Sequence, residues 1–205
     1  MPLAGDSILV TPGTGATVAT HIVSSKEHQV IMLADAAGNL LNDPVNVYAS
    51  SALAMAKAAS KNYISLFNAD AALIVDVLGV WISHEITAAV TGLIRGYRLF
   101  FTNSTAHSAG TANTPIKLDS TTAALDADIT VRSNGQTATA AGEAIIALGV
   151  GEEEAGSGGA AKMWLWNYNE MGISIVLRQN EGILVQQDST AGTGVLSAGI
   201  IFRVR

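Results

Sequence analysis

Residues 173–188 read ISIVLRQNEGILVQQD. Ile173, Ile175 and Leu177 fall on one side of an extended chain, and Ile183 and Val185 on one side of a second, because side chains alternate across a strand. The polar break Asn180-Glu181-Gly182 separates the two runs, which predicts a β-hairpin turning at Glu181-Gly182. No reactive residue stands on it. The segment reads as a wall, and its function as a matter of where that wall is placed.

The same pattern continues on both sides. Downstream, VLSAGIIFRVR alternates Ile200, Phe202 and Val204 against Ile201, Arg203 and Arg205, giving an apolar inner and a basic outer face. Upstream, NYISLFN (62–68) and ALIVDVLGVWIS (72–83) read as strands, as do AVTGLIRGYRLFFTN (89–103), IKLDS, ITVRS, EAIIALGV (143–150) and KMWLWNYNE. The polar, small-residue stretch 104–115 reads as a surface loop, and GEEEAGSGGAA as an acidic, glycine-rich one. About eight strands with almost no helix indicate an all-β chain: a sandwich, jelly roll or barrel, with an antiparallel β-sandwich of jelly-roll type as the expected fold. Residues 49–61, ASSALAMAKAASK, are the one helix candidate, since Ala, Leu, Met and Lys favour helix. The competing reading is an extended, small-residue linker. Residues 1–47 lack a coherent pattern. VTPGTGAT is turn-rich, a short strand is expected over 28–33, and Gly38-Asn39 and Pro44 close the region. The expected organisation is an N-terminal arm or small subdomain, 1–47, and a sandwich domain, 48–205.

Charged residues make up only 14% of the 205 residues while hydrophobic ones reach 49%. An ordinary soluble chain carries roughly 25% charged residues. Too few charges remain to coat a monomer, so much of the surface is expected to face copies of the chain or a larger assembly. The net charge of −6, with eleven scattered Lys and Arg, argues against nucleic acid as partner. No cysteine is present, so disulfides and thiolate metal sites are excluded. The apolar run 71–82 is too short for a bilayer and contains Asp76, so it is expected as a buried strand and no membrane association is expected.

Motifs for chemistry are sparse. His21, His28, His84 and His107 show no metal-ligand spacing beyond the loose pair at 21 and 28, and read as surface or loop histidines. Glu152, Glu153 and Glu154 lack the alternate spacing of a calcium loop, and Asp126 and Asp128 read as a turn edge. There is no Gly-x-Ser-x-Gly elbow, and neither glycine-rich stretch carries the Gly-Lys-Ser/Thr of a phosphate loop. Trp164 and Trp166, two apart, share one face of a strand, as a sugar platform or, more commonly, a core cap or interface filler. No catalytic, cofactor-binding or metal-ligating residue is assigned, no cofactor is expected, and the chain is read as a non-enzyme.

The segments YISLFNADAALIVDVLGVWI, TGLIRGYRLFFTNSTAHSAGTANTPIKLDS and IVLRQNEGILVQQDSTAGTGVLSAGIIFRV, with the opening TPGTGATVATHIVSSKEHQVIML, resemble small β-sandwich virion proteins of tailed bacteriophages. The resemblance implies a virion structural protein with a jelly-roll-like domain, forming homotrimers. The expectation drawn from it is a capsid decoration, or cement, protein. It would assemble in the host cytoplasm, bind the outside of the head and hold neighbouring major capsid protein subunits together. The alternative is a tail, fibre or baseplate component that binds a host receptor, with Trp164, Trp166 and the loop at 104–114 as the contact surface.

Overall fold

The computed structural model describes residues 19–23, 26–30, 46–85, 93–120, 122–152, 162–190 and 192–205. The chain divides into two units, residues 1–45 and 46–205. In the first, strands β1 (Ala19–Val23) and β2 (Lys26–Val30) pair antiparallel, with Ala19 opposite Val30 and Val23 opposite Lys26. The strand expected over 28–33 therefore starts earlier, at Lys26, and residues 31–33 lie outside the described residues. The turn-rich stretch at 10–17 and the Gly38-Asn39 and Pro44 signals lie outside the described residues.

The second unit is an antiparallel β-sandwich, as its alternation requires. In chain order its elements are β3 (Val47–Ala56), β4 (Asn62–Asn68), β5 (Val75–Glu85), β6 (Leu93–Thr102), β7 (Thr111–Asn113), β8 (Ile116–Lys117), β9 (Ile129–Ser133), β10 (Ala140–Glu152), β11 (Lys162–Asn167), α1 (Tyr168–Met171), β12 (Ile175–Leu177), β13 (Glu181–Gln187) and β14 (Val195–Val204). One sheet has the order β11-β5-β14-β3-β8, with β12 also on β5; the other runs β10-β6-β13-β4-β9-β7. Between them lies the core, built from Tyr48, Ile82, Ile200 and Phe202 on the first sheet and Leu66, Leu99, Ile183 and Val185 on the second. Tyr48 stacks on Phe202 at 5.5 Å, and Tyr63 meets Tyr97 edge-on at 6.3 Å.

Several local expectations are corrected. Residues 173–188 do not form a hairpin. β12 pairs with Val75–Val77 of β5 in the first sheet, whereas β13 lies between β4 and β6 in the second. The turn at Asn180, which takes φ 60°, thus carries the chain across the sandwich. Alternation specifies that each run has a buried face, and both arrangements satisfy it. Ile175 and Leu177 are buried as expected, but Ile173 is exposed.

The helix expected at 49–61 is absent. Those residues supply most of β3, which gains a ladder on β14 from Arg203↔Val47 to Val195↔Ala56, interrupted by one bulge. Pairing within the sheet overrides a helix propensity that is weak to begin with. Among the described residues the one short helix is α1, where Asn167 Oδ1 accepts from the Asn169 N–H and Gly172 closes the turn in the left-handed region at φ 71°. It bridges β11 and β12, which lie end to end along the same edge of β5.

The two outer faces differ. On the second sheet both faces of β4 are buried from Tyr63 to Asn68. Its outer face is roofed by the loop expected to be a free surface loop and by the chain after β9. The two are joined where Ser108 and Thr137 bridge and where Asn103 N–H donates to Thr139 O at 2.9 Å. Under this roof Phe67, Phe100, Leu184 and His107 are buried. The outer face of the first sheet has no such cover among the described residues of the sandwich.

Candidate functional site

Three places on the sandwich bring polar or aromatic groups together. The first is the outer face of the first sheet. Trp164 of β11 lies directly opposite Trp81 of β5. The register then slips, so that Trp166 faces Val80. Leu165 is the extra residue of a β-bulge, and a bulge re-aims the side chains beyond it. Trp166 consequently turns into the core, while Trp164 remains on the outer face. The expectation that Trp164 and Trp166 share a face is thus corrected. The pair on one face is Trp81 and Trp164, which come from separate strands and could not be matched by spacing.

Both indoles rest on glycines. A Cβ at Gly79 would come within 2.8 Å of Trp164 Cζ3, and one at Gly199 would overlap Trp81 Cε2 and Nε1. The Lys162 ammonium stands 4.1 Å from the Trp164 ring centre and 5.2 Å from that of Trp81, an attraction between a cation and the negative ring face. Beside Trp81 runs a groove of about 410 Å³, lined also by Ser50, Ser51, Asn113, Thr114 and Ile116. At the far end of the same face Asp76, 1% exposed, takes two arginines. Arg203 reaches Asp76 Oδ2 through Nη2 at 2.8 Å, and Arg205 Nε donates to the same oxygen at 2.8 Å. This explains how a carboxylate sits within the apolar run 71–82, which is the buried strand expected there: charges buried in a fold are paired.

The second place is a set of three carboxylates. Asp70, Asp126 and Asp128 bring oxygens within 4.8 Å of one another. Each has a local role. Asp70 Oδ1 accepts from the N–H groups of Ala72 and Leu73 at 2.6 and 2.8 Å, and Asp126 Oδ1 accepts from the Asp128 N–H at 2.8 Å. The Asp128 carbonyl in turn accepts from the Ala69 N–H at 2.9 Å. The reading of Asp126 and Asp128 as a turn edge holds; Asp70, more than fifty residues earlier, gives no sequence signal that it joins them.

The third is His107. Expected as a surface or loop histidine, it is buried under the roof of the second sheet, its Nε2 3.0 Å from Thr102 Oγ1 and its ring 4.9 Å from Phe67. Burial, reinforced by the Arg132 guanidinium, lowers its pKa to about 4. His84 stands half-buried on β5. His21 and His28 occupy directly opposed register positions on β1 and β2. Of the acidic run, Glu152 ends β10, and Glu153 and Glu154 lie outside the described residues.

The chain is thus an all-β sandwich whose most distinctive surface is an aromatic and small-residue sheet face. No family model, no curated protein and no solved structure matches it. Among the described residues, no helix is long and apolar enough to cross a membrane.

Proposed function

We propose that this chain is a structural protein of a bacteriophage virion, a capsid decoration protein that binds the outside of the head as a homotrimer and stabilises neighbouring major capsid protein subunits. The observation that carries the reading is the combination of few charges with large apolar side chains left in solvent. Leu53, Ile94 and Ile116 are 72%, 70% and 71% exposed, and Leu118 and Phe101 are exposed as well. Large apolar side chains left exposed on a chain with 14% charged residues favour burial against other protein. The resemblance of segments 11–33, 63–82, 91–120 and 175–204 to small virion sandwiches supports the same reading. In a shell, symmetry multiplies modest contacts made by each copy.

The test has two parts. Sedimentation equilibrium of the purified chain is expected to give three times the 21.1 kDa protomer mass. Cryo-electron microscopy of virions of the phage that encodes it is expected to place the sandwich on the head surface. Virions with no copy on the head would overturn the reading.

A further inference from the structure

We infer that the groove beside Trp81 is a binding site for a neutral carbohydrate. This does not rest on the capsid reading, since it follows from the lining of the groove alone. Its volume of about 410 Å³ falls within the range of small-molecule clefts, roughly 300–1,000 Å³. A saccharide has two recognition surfaces: a face of C–H groups carrying slight positive charge, and a rim of hydroxyls that donate and accept. The groove offers a counterpart to each.

Trp81 supplies the flat, electron-rich surface that such a C–H face stacks on. Its position is fixed from below, because Gly199 leaves no side chain between indole and sheet. Ile116 and Ile201 extend the apolar floor. Ser51 and Thr114 contribute exposed hydroxyls at the rim. Asn113 contributes an amide whose Oδ1 is taken by the Ser133 hydroxyl at 3.0 Å, while its Nδ2 has only a long contact, 3.5 Å, to Ser50 Oγ. That nitrogen keeps donor capacity for a ligand hydroxyl. Among the described residues no ionisable side chain lines the groove itself, so its lining matches a neutral sugar. The Lys162 ammonium stands 5.2 Å from the Trp81 ring centre, and the acidic sugar tests whether that charge recruits an anion instead.

An extended peptide is the competing occupant. β8 covers only Tyr48 and Ala49 of the ten-residue β3, which leaves the rest of that edge without a ladder partner among the described residues. The edge is poorly made for strand addition, however. β3 is bulged there, Ala54 takes φ 52°, and its N–H is already given to Ser197 Oγ at 3.1 Å. An added strand would lose its register at the bulge.

The experiment follows the three indole N–H resonances of ¹⁵N-labelled full-length protein by NMR. The titrants are cellotetraose, maltotetraose and tetra-N-acetylchitotetraose, with trigalacturonate and an uncharged alternating Thr-Val peptide as comparators. At least one neutral sugar is expected to shift the Trp81 resonance and leave that of the core residue Trp166 in place. Trp81→Ala is expected to weaken the binding at least tenfold, and Trp164→Ala, outside the groove, less than twofold. If Trp81→Ala does not fold, Trp81 is assigned with Trp81→Phe and the wild-type shifts decide. The inference is overturned if no neutral sugar at millimolar concentration moves Trp81, if binding survives Trp81→Ala, or if only the peptide or the acidic sugar binds. None of these outcomes bears on where the protein sits in a virion, so the two readings fail separately.

Discussion

The imidazole of His107 sits between Phe67 and Thr102, with Nδ1 buried and lacking a hydrogen-bond partner among the described residues. Such a ring is held neutral. Its pKa, lowered to about 4 from the ordinary 6.5, makes the unfolded chain the better proton acceptor between those values. Stability therefore falls as pH drops through 6.5 and stops responding to this residue below about 4. The full displacement corresponds to about 3 kcal/mol by linkage. Urea unfolding followed from pH 7.5 to 4 is expected to show a steeper loss in the wild type than in His107→Gln, and equal slopes would show that the ring titrates normally. In the sequence, His107 stands in a polar stretch of small residues, and nothing local announces that the stretch folds back over the sheet as a roof.

Asp76 works between elements. It stands on β5, and both of its arginine partners come from the C-terminal strand or the residue just after it. The pair thus ties β5 to the neighbouring β14 at one end of the ladder. Because Arg203 and Arg205 are partly exposed and can rehydrate, Asp76→Ala is expected to cost about 1–3 kcal/mol rather than the larger value of a fully buried pair. Thermal unfolding by circular dichroism should show a fall of a few degrees, and an unchanged midpoint would remove the assigned role. At this scale the sequence is legible where period and burial agree. The alternation of β14 and the buried run of β5 could both be read directly. It misleads where an insertion shifts the phase, as at Leu165, or where two geometries satisfy one pattern, as at Asn180. The Ala-rich β3 misleads because small side chains suit helix and sheet alike, and the choice falls to a partner strand well over a hundred residues away.

For the whole molecule, the low charge has a consequence that can be measured. Association driven by exposed apolar side chains gains nothing from ion pairs, so salt cannot screen it away. The proposed trimer is expected to persist from roughly 0.05 M to 1 M sodium chloride in sedimentation. Dissociation at the upper end would point to charged contacts instead. That apolar side chains remain exposed was foreseeable from composition alone, but where they and the indoles stand was not. Trp81 and Gly199 come together only because β5 and β14 are neighbours, and they stand over a hundred residues apart in the chain.

That neighbourhood has a temporal side. The sandwich begins at β3 and ends at β14, and these two strands lie against each other, with the Val204 N–H donating to the Asn46 carbonyl at 3.1 Å. Among the described strands β14 is also the only link between β3 and β5 in their sheet. During synthesis β3 must wait for β14, made well over a hundred residues later, before that layer can close. A chain released early, by a stop codon or a broken message, would lack the middle of the sheet and expose the strands on either side. A copy without β14 thus lacks the strand that joins the two halves of this layer.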